Sequence, residues 1–322
     1  MFAGEGLAEL TLDGDRTALN CGGDAANAAV MCARLGGNAR LLGRVGGDPL
    51  GRRLLRAWRE TGVDVSRLIV DVGAPTGLYV HELSREPGAV PRAFTYWRRD
   101  SAGSRWCPAD LDDSDALSAV SALVVTGVTM TVSDSSAAAA WKAIAEARAA
   151  AVPVACILNY RPALSPDADV LSRIAVTADI LIASVEDLAN AFPTWSPVEI
   201  FELIQEPGHE LVLTAGHVGA AVRSSEGSAR QLAPAVPARD TVGAGDALAG
   251  AYLWARFQRN QPPAEALAWG VAAASLSVQA EGCTSSYPDV EQTARARETL
   301  PPLEADAADE WLGVHMRTGR SP

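Results

Sequence analysis

Short apolar runs rich in β-branched residues alternate with Ala/Leu-rich stretches along most of this 322-residue chain. The runs at Leu41–Val45, Ala122–Thr126, Val152–Leu158, Ile180–Ala183 and Leu211–Ala215 predict buried strands, because they are mostly apolar and do not alternate. Between and beyond them, helical spacing predicts helices near Ala25–Leu35, Leu50–Thr61, Ser135–Ala150, Val198–Gln205, Ala244–Phe257 and Ala264–Gln279. Strands and helices joined by short connections imply a mostly parallel sheet covered on both faces, the α/β class.

One stretch breaks the alternation. Thr76–Leu83 and Ala93–Arg98 read as extended segments joined by Ser84–Arg92, which carries Pro87, Gly88 and Pro91. Two strands without a crossover helix predict an antiparallel hairpin, a small β lid spanning about 76–98. Residues 303–322 are acidic and poorly patterned, which predicts a loosely ordered tail behind a domain of residues 1–302.

Charge narrows the function classes. The formal net charge is −12, and Lys142 is the only lysine. That balance argues against nucleic acid or anionic membrane as a partner, since both need a basic face. A few placed arginines remain able to bind a small anionic substrate. No run reaches the roughly 18 apolar residues of a transmembrane helix. Met1-Phe-Ala-Gly-Glu lacks the basic and apolar regions of a secretory signal. The five cysteines (Cys21, Cys32, Cys107, Cys156, Cys283) are scattered, without a Cys-x-x-Cys pair, as expected for free thiols. A cytoplasmic protein is the expectation.

The sharpest chemical signal is Asp240-Thr-Val-Gly243-Ala244-Gly245-Asp246, preceded by Pro234 and Pro237 and followed by a helix rich in small and aromatic residues. A glycine-flanked helix start leaves backbone N–H groups unpaired. With the helix dipole they form an anion site suited to phosphate. Asp246 falls in the first turn, where a carboxylate can take the proton of an attacking hydroxyl in phosphoryl transfer. A lone Gly-x-Gly-Asp marks no more than a helix start, but the seven-residue string is far more specific. A P-loop requires a Gly-Lys-[Ser/Thr], and Lys142 follows Ala-Ala-Ala-Ala-Trp instead. A dinucleotide fingerprint requires a closer third glycine than Gly250 and an opening βαβ unit. No His/Cys/Glu cluster has metal-ligand spacing, and His217 reads as a loop residue.

With this motif the chain resembles the ribokinase-like (PfkB-type) carbohydrate kinases. The second hallmark is Gly22-Gly23-Asp24-Ala-Ala-Asn27, followed by Ala33-Arg-Leu-Gly36 and Gly43-Arg-Val-Gly46-Gly-Asp48-Pro-Leu-Gly51. The match runs from about Gly4 to Pro288. Within the family it is most similar to 2-keto-3-deoxygluconate kinases, through Gly77-Leu78-Tyr79, Phe94-Thr-Tyr96-Trp97-Arg98 and Asn159-Tyr160-Arg161-Pro162. The resemblance implies a mostly parallel central sheet flanked by helices with a small β lid. It implies ATP and Mg²⁺ as cofactors and phosphorylation of a terminal hydroxyl of a sugar acid. Asp246 would be the base, and Gly243, Ala244 and Gly245 would supply the anion hole. Gly23, Asp24 and Asn27 would hold substrate hydroxyls, while Tyr79, Tyr96 and Arg98 approach from the lid. Arg161 would sit between substrate and phosphates. Asn159, Thr214, Gly216 and Gly219 would complete the ATP site, with Asp187 reaching Mg²⁺ through water. A carboxylate substrate suits these residues, because arginine recognises carboxylates bidentately. Tyrosine hydroxyls can meet the keto oxygen and hydroxyls while their rings pack on the carbon chain.

Two departures stand out. Ser184-Val-Glu186-Asp187 replaces the family's Asn-x-x-Glu, and Ile157 stands where an aspartate is frequent. Both bear on Mg²⁺·ATP handling. They keep open a catalytically weak sugar-acid-binding protein beside the kinase, and a fructokinase or ribokinase acting on a neutral sugar. A homodimer or higher homo-oligomer through the lid is expected, since a lid hairpin needs its apolar face covered.

Overall fold

The computed structural model describes residues 1–82, 94–112, 117, 119–164, 168–193 and 209–305. The expected helix Val198–Gln205, the lid connection Ser84–Arg92 and all but the start of the acidic tail lie outside the described residues.

The apolar runs form the middle of a ten-stranded sheet. Its central strands are β1 (Phe2–Ala3), β4 (Arg40–Gly46), β8 (Leu123–Thr126), β9 (Val154–Ile157), β10 (Ile180–Ser184) and β11 (Glu210–Thr214). Neighbouring pairs among them are parallel, with β5 (Asp64–Asp71) parallel at one edge beside β4. Strands β8 and β9 are buried at every position, which accounts for their unbroken apolar sequence. At the other edge β12 (Gly219–Ser224) and β13 (Gly227–Leu232) run antiparallel. The two-residue β14 (Glu304–Ala305) adds to β13 at the start of the expected tail.

Helices α1 (Asp24–Arg34), α2 (Pro49–Glu60), α3 (Asp134–Ala149), α4 (Ala168–Thr177), α5 (Val185–Ala191), α6 (Ala244–Gln258), α7 (Pro263–Ser277) and α8 (Val290–Glu298) cover the faces of this sheet. Two apolar clusters result, one under α1, α6 and α7 and the other under α3, α4 and α5. No described helix is long and apolar enough to cross a membrane.

The lid is larger than the expected hairpin. Strands β6 (Gly77–Glu82) and β7 (Phe94–Trp97) pair antiparallel as expected. They are joined by β2 (Leu7–Asp13) and β3 (Arg16–Gly22), giving a four-stranded sheet in the order β3-β2-β6-β7. The N-terminal hairpin turns at Gly14, whose φ of +56° suits glycine. The first hairpin leads from Gly22 directly into α1.

One helix contact sets the spacing of the two helix starts. A Cβ at Gly250 of α6 would lie 2.3 Å from the Ala28 carbonyl of α1, so only glycine allows this approach. It brings the first turns of α1 and α6 side by side.

Candidate active site

Both helices begin at a glycine with positive φ and no side-chain cap. Gly23, at φ +104°, precedes α1, and a Cβ there would sit 2.4 Å from the Glu5 carbonyl. Gly243, at φ +80°, precedes α6, and its Cβ would meet the Cys283 sulfur at 2.2 Å. A start without an N-cap side chain leaves helix N–H groups for an outside anion, although at α1 the Asp24 side chain already takes the Ala25 N–H.

The turn before α6 is braced from behind. Asp240 accepts from the Val242 N–H at 3.0 Å and the Gly282 N–H at 3.1 Å. The Tyr287 hydroxyl donates to the Gly243 carbonyl at 2.8 Å. Nothing in the sequence around 282–287 advertised this role; it arises because the segment packs under Gly243.

Across the gap between the helices, Asn27 Nδ2 donates to Asp246 Oδ2 at 2.8 Å. Asn27 Oδ1 is buried without a partner among the described residues, so an acceptor there awaits a donor. Asp24 Oδ1 accepts from the Ala25 N–H at 2.8 Å, and Asn159 Nδ2 donates to Asp24 Oδ2 at 2.9 Å. Asn159 adopts φ +41°, a strained value that asparagine tolerates better than most residues. Burial pushes the Asp246 carboxyl up to about 7, and the negative charge of Asp24 adds to the rise; Asn27 and Arg161 pull the other way. That places Asp246 where a general base for neutral-pH chemistry belongs.

The lid closes the other side. Tyr79, Phe94 and Tyr96 lie on one lid face, with ring centroids 5.7 Å apart for Tyr79–Tyr96 and 6.1 Å for Phe94–Tyr96. Arg98 stacks over Tyr96 at 5.2 Å from the ring centroid. Burial raises the Tyr96 hydroxyl, while Arg161, hydrogen-bonded to it, opposes the rise. Burial and the charge of Arg161 lower Arg98 to about 10. Arg98, Arg161 and Tyr96 therefore converge at the mouth of the gap between α1 and α6. Arg98 is not a free cation, however: it forms a buried ion pair with Glu5. Sequence reasoning missed Glu5, whose side chain packs against the close-lying Gly103.

Asp187 is already occupied. Its Oδ1 accepts from the Tyr160 N–H at 3.0 Å and its Oδ2 from the Ser184 N–H at 3.2 Å. Ser184 is the N-cap of α5, and its hydroxyl accepts from the Asp187 N–H at 2.9 Å. The two residues form a reciprocal capping box that also holds the Tyr160–Arg161 turn. Burial raises the Asp187 carboxyl.

Behind the α6 turn lies a cavity of about 740 Å³. Thr214, Gly216, His217 and Gly219 line one side; Ala244, Gly245 and Leu248 line another; Val271, Ala274 and Val278 of the α7 region form the floor. Its small apolar walls suit a flat aromatic base. Gly245 lines this cavity, and its neighbour Asp246 turns to Asn27 on the other side. Among the described residues no group of three His, Cys, Asp or Glu side chains could hold a metal ion.

A cavity on one side of an uncapped helix start and a raised carboxyl group on the other, under a β lid, fit a phosphotransferase of the ribokinase-like class. The chain belongs to the pfkB family of carbohydrate kinases, whose model matches residues 5–290. It is 36% identical over 273 residues to a 2-dehydro-3-deoxygluconokinase of Thermoproteus tenax, covering 83% of this chain and 82% of that protein. It is 30% identical over 266 residues to a 2-dehydro-3-deoxygalactonokinase of Haloferax volcanii, covering 81% and 82%. Among solved structures, fructokinase with bound ATP from Xylella fastidiosa superposes with a TM-score of 0.82 at 24% identity, over 92% of this chain and 97% of that one. The protein is thus an ATP-dependent sugar kinase.

Proposed function

We propose that the enzyme phosphorylates the terminal hydroxyl of a sugar acid, 2-keto-3-deoxygluconate giving its 6-phosphate. The observation that carries the reading is the α6 turn, with Gly245 facing the base-sized cavity and Asp246 facing the lid chamber. In the reading, Asp246 takes the proton of the terminal hydroxyl. The freed oxygen bonds to the γ-phosphorus as the bond from that phosphorus to the β-bridging oxygen breaks, and ADP departs. N–H groups of Gly243, Ala244 and Gly245 stabilise the transferring group's charge. Gly23, Asp24 and Asn27 hold hydroxyls, and the unpartnered Asn27 Oδ1 suits that role. Tyr96, Arg98 and Arg161 hold the carboxylate end, and Asn159 steadies Asp24. Thr214, Gly216 and Gly219 line the nucleotide chamber. Mg²⁺, bound with ATP, supplies charge neutralisation on the phosphates; Asp187, held by two backbone N–H groups, fits an outer position reached through water better than direct ligation. The names of two relatives, a 2-dehydro-3-deoxygluconokinase and a 2-dehydro-3-deoxygalactonokinase, support the sugar-acid class.

One observation favours a second reading, a neutral-sugar kinase of fructokinase or ribokinase type. Glu5 already neutralises Arg98, which leaves Arg161 as the main cation toward a substrate carboxylate. A coupled assay over 2-keto-3-deoxygluconate, 2-keto-3-deoxygalactonate, gluconate, fructose and ribose decides. The sugar-acid reading expects the 2-keto-3-deoxy acids to give the highest kcat/KM, with phosphate on the terminal carbon by ³¹P-coupled NMR. A preference for fructose or ribose would overturn it. We further propose a domain of residues 1–302 and a homodimer through the outer lid face, where Trp97 is 58% exposed. Light scattering on the purified protein tests the dimer.

A further inference from the structure

The inner face of the lid carries a carboxylate that the proposed chemistry does not use. Glu9, on β2, is wholly buried. Its cross-strand neighbours are Asn20 on β3 and Tyr79 on β6. The side-chain hydrogen bonds that reach this carboxyl group are all donated to it. Tyr79 donates its hydroxyl proton to Glu9 Oε2. Asn20 Nδ2 donates to Oε1 at 3.2 Å, and the Thr11 hydroxyl donates to Oε1 at 3.3 Å. Thr11 Oγ1 also lies 3.0 Å from His81 Nε2. His81 Nδ1 is a buried nitrogen left without a partner among the described residues. Glu9 thus gathers three donors, the Tyr79 hydroxyl among them.

The consequence falls on Tyr79. A Cβ at Gly22 would lie 2.7 Å from the Tyr79 oxygen, so that oxygen sits directly over Gly22-Gly23-Asp24 at the mouth of α1. Burial pushes the Tyr79 hydroxyl up, and Asp246 is close enough to add to the rise. A tyrosine that donates to Glu9 has only a lone pair left for the substrate. We propose that Glu9 is a positioning residue that locks Tyr79 as a hydrogen-bond acceptor, so that Tyr79 selects a substrate hydroxyl and does not bind a keto oxygen or a carboxylate. This deepens the sugar-kinase reading and rests on it. The chamber becomes polarised, with acceptors (Tyr79, Asp24, Asn27 Oδ1) at the α1 end for the polyol part. Tyr96 and Arg161 supply the donors for the oxidised part.

The test is a double-mutant cycle of Glu9→Gln and Tyr79→Phe, run on the panel sugar with the highest kcat/KM. Failure of the sugar-acid reading thus changes the sugar used and leaves the cycle readable. Glutamine offers one acceptor oxygen to three donors and adds donors of its own, so Tyr79 loses its fixed orientation. Each single variant is expected to raise KM roughly fivefold with kcat little changed, the size of one hydrogen bond. The double variant should be no worse than either single one. Multiplying effects would overturn the proposal, as would a Glu9→Gln variant with lowered Tm and unchanged KM. Should Glu9→Gln not fold, Tyr79→Phe with single-deoxy analogues of the same sugar decides. Wild type should lose roughly tenfold in kcat/KM on one deoxy analogue, and Tyr79→Phe should treat that analogue and the parent alike. If Tyr79→Phe weakens every analogue equally, the acceptor role is wrong.

Discussion

Removing the Asn27 amide should move the pH dependence of the enzyme in a calculable direction. Asn27 Nδ2 donates to Asp246 Oδ2 at 2.8 Å and is the leading influence holding that carboxyl down against burial and Asp24. A hydrogen bond to a charged group contributes about 1.5–3 kcal/mol, and 1.36 kcal/mol corresponds to about one pK unit. Asn27→Ala should therefore raise the carboxyl from about 7 by roughly one to two units. The base works ionised, so wild-type kcat/KM should fall as pH drops through about 7. In the variant the same acidic limb should appear roughly one to two units higher, while the plateau above it drops only by what Asn27 contributes to substrate binding. Alanine suits the helix interior, so α1 should survive. The assay is kcat/KM against pH with ADP release read at each point, and Asp246→Asn as the control expected to lose about 10²–10⁴-fold. A limb that stays in place in Asn27→Ala, with activity reduced equally at all pH values, would refute the link between Asn27 and the charge state of Asp246.

Gly250→Ala forces a methyl group to 2.3 Å from the Ala28 carbonyl, so α1 and α6 must separate. Thermal unfolding should show a loss of about 1–3 kcal/mol, together with a lower kcat as Asn27 and Asp246 part. Arg98→Ala leaves Glu5 buried and unpaired. Its destabilisation should be about 3–5 kcal/mol by chemical denaturation and should largely vanish in the Glu5→Gln/Arg98→Ala double variant. Ser184→Ala removes the α5 cap, with an expected cost of about 1 kcal/mol, whereas Ser184→Asn should keep both stability and KM for ATP close to wild type. A large gain in ATP turnover in Ser184→Asn would instead mean that serine had been weakening Mg²⁺·ATP handling.

The sequence made the central sheet legible because its strands are buried on both faces. Continuous apolar runs such as Val152–Leu158 have no other economical explanation, and β9 sits inside that span. The same rule hid β2 and β3. They belong to a lid sheet with one solvated face, so Leu7-Ala8-Glu9-Leu10-Thr11 looks mixed, not apolar. The alternation of Leu7, Glu9 and Thr11 on one face was the available signal, and it pointed to a polar inner surface that a search for hydrophobic runs passes over. The α1 and α6 starts were legible because positive-φ glycines and a first-turn aspartate leave a local signature. The distance between them was not, since it depends on Gly250 meeting Ala28 across 222 positions, a non-local contact that no window of sequence contains.

That contrast bears on the two departures from the family pattern. Ser184 reads as a loss when a metal-linked motif is the reference, but serine is among the best N-cap residues, and here it caps α5 while Asp187 returns the bond. The exchange keeps Asp187 fixed under the Tyr160–Arg161 turn, beside which Arg161 meets Tyr96. Ile157 is buried in the core cluster beneath α1 and α6. There it packs as an ordinary core side chain between Thr126 and Ile182 of the neighbouring strands. One substitution thus caps a helix and the other fills the core, and neither removes a group on which the proposed transfer depends.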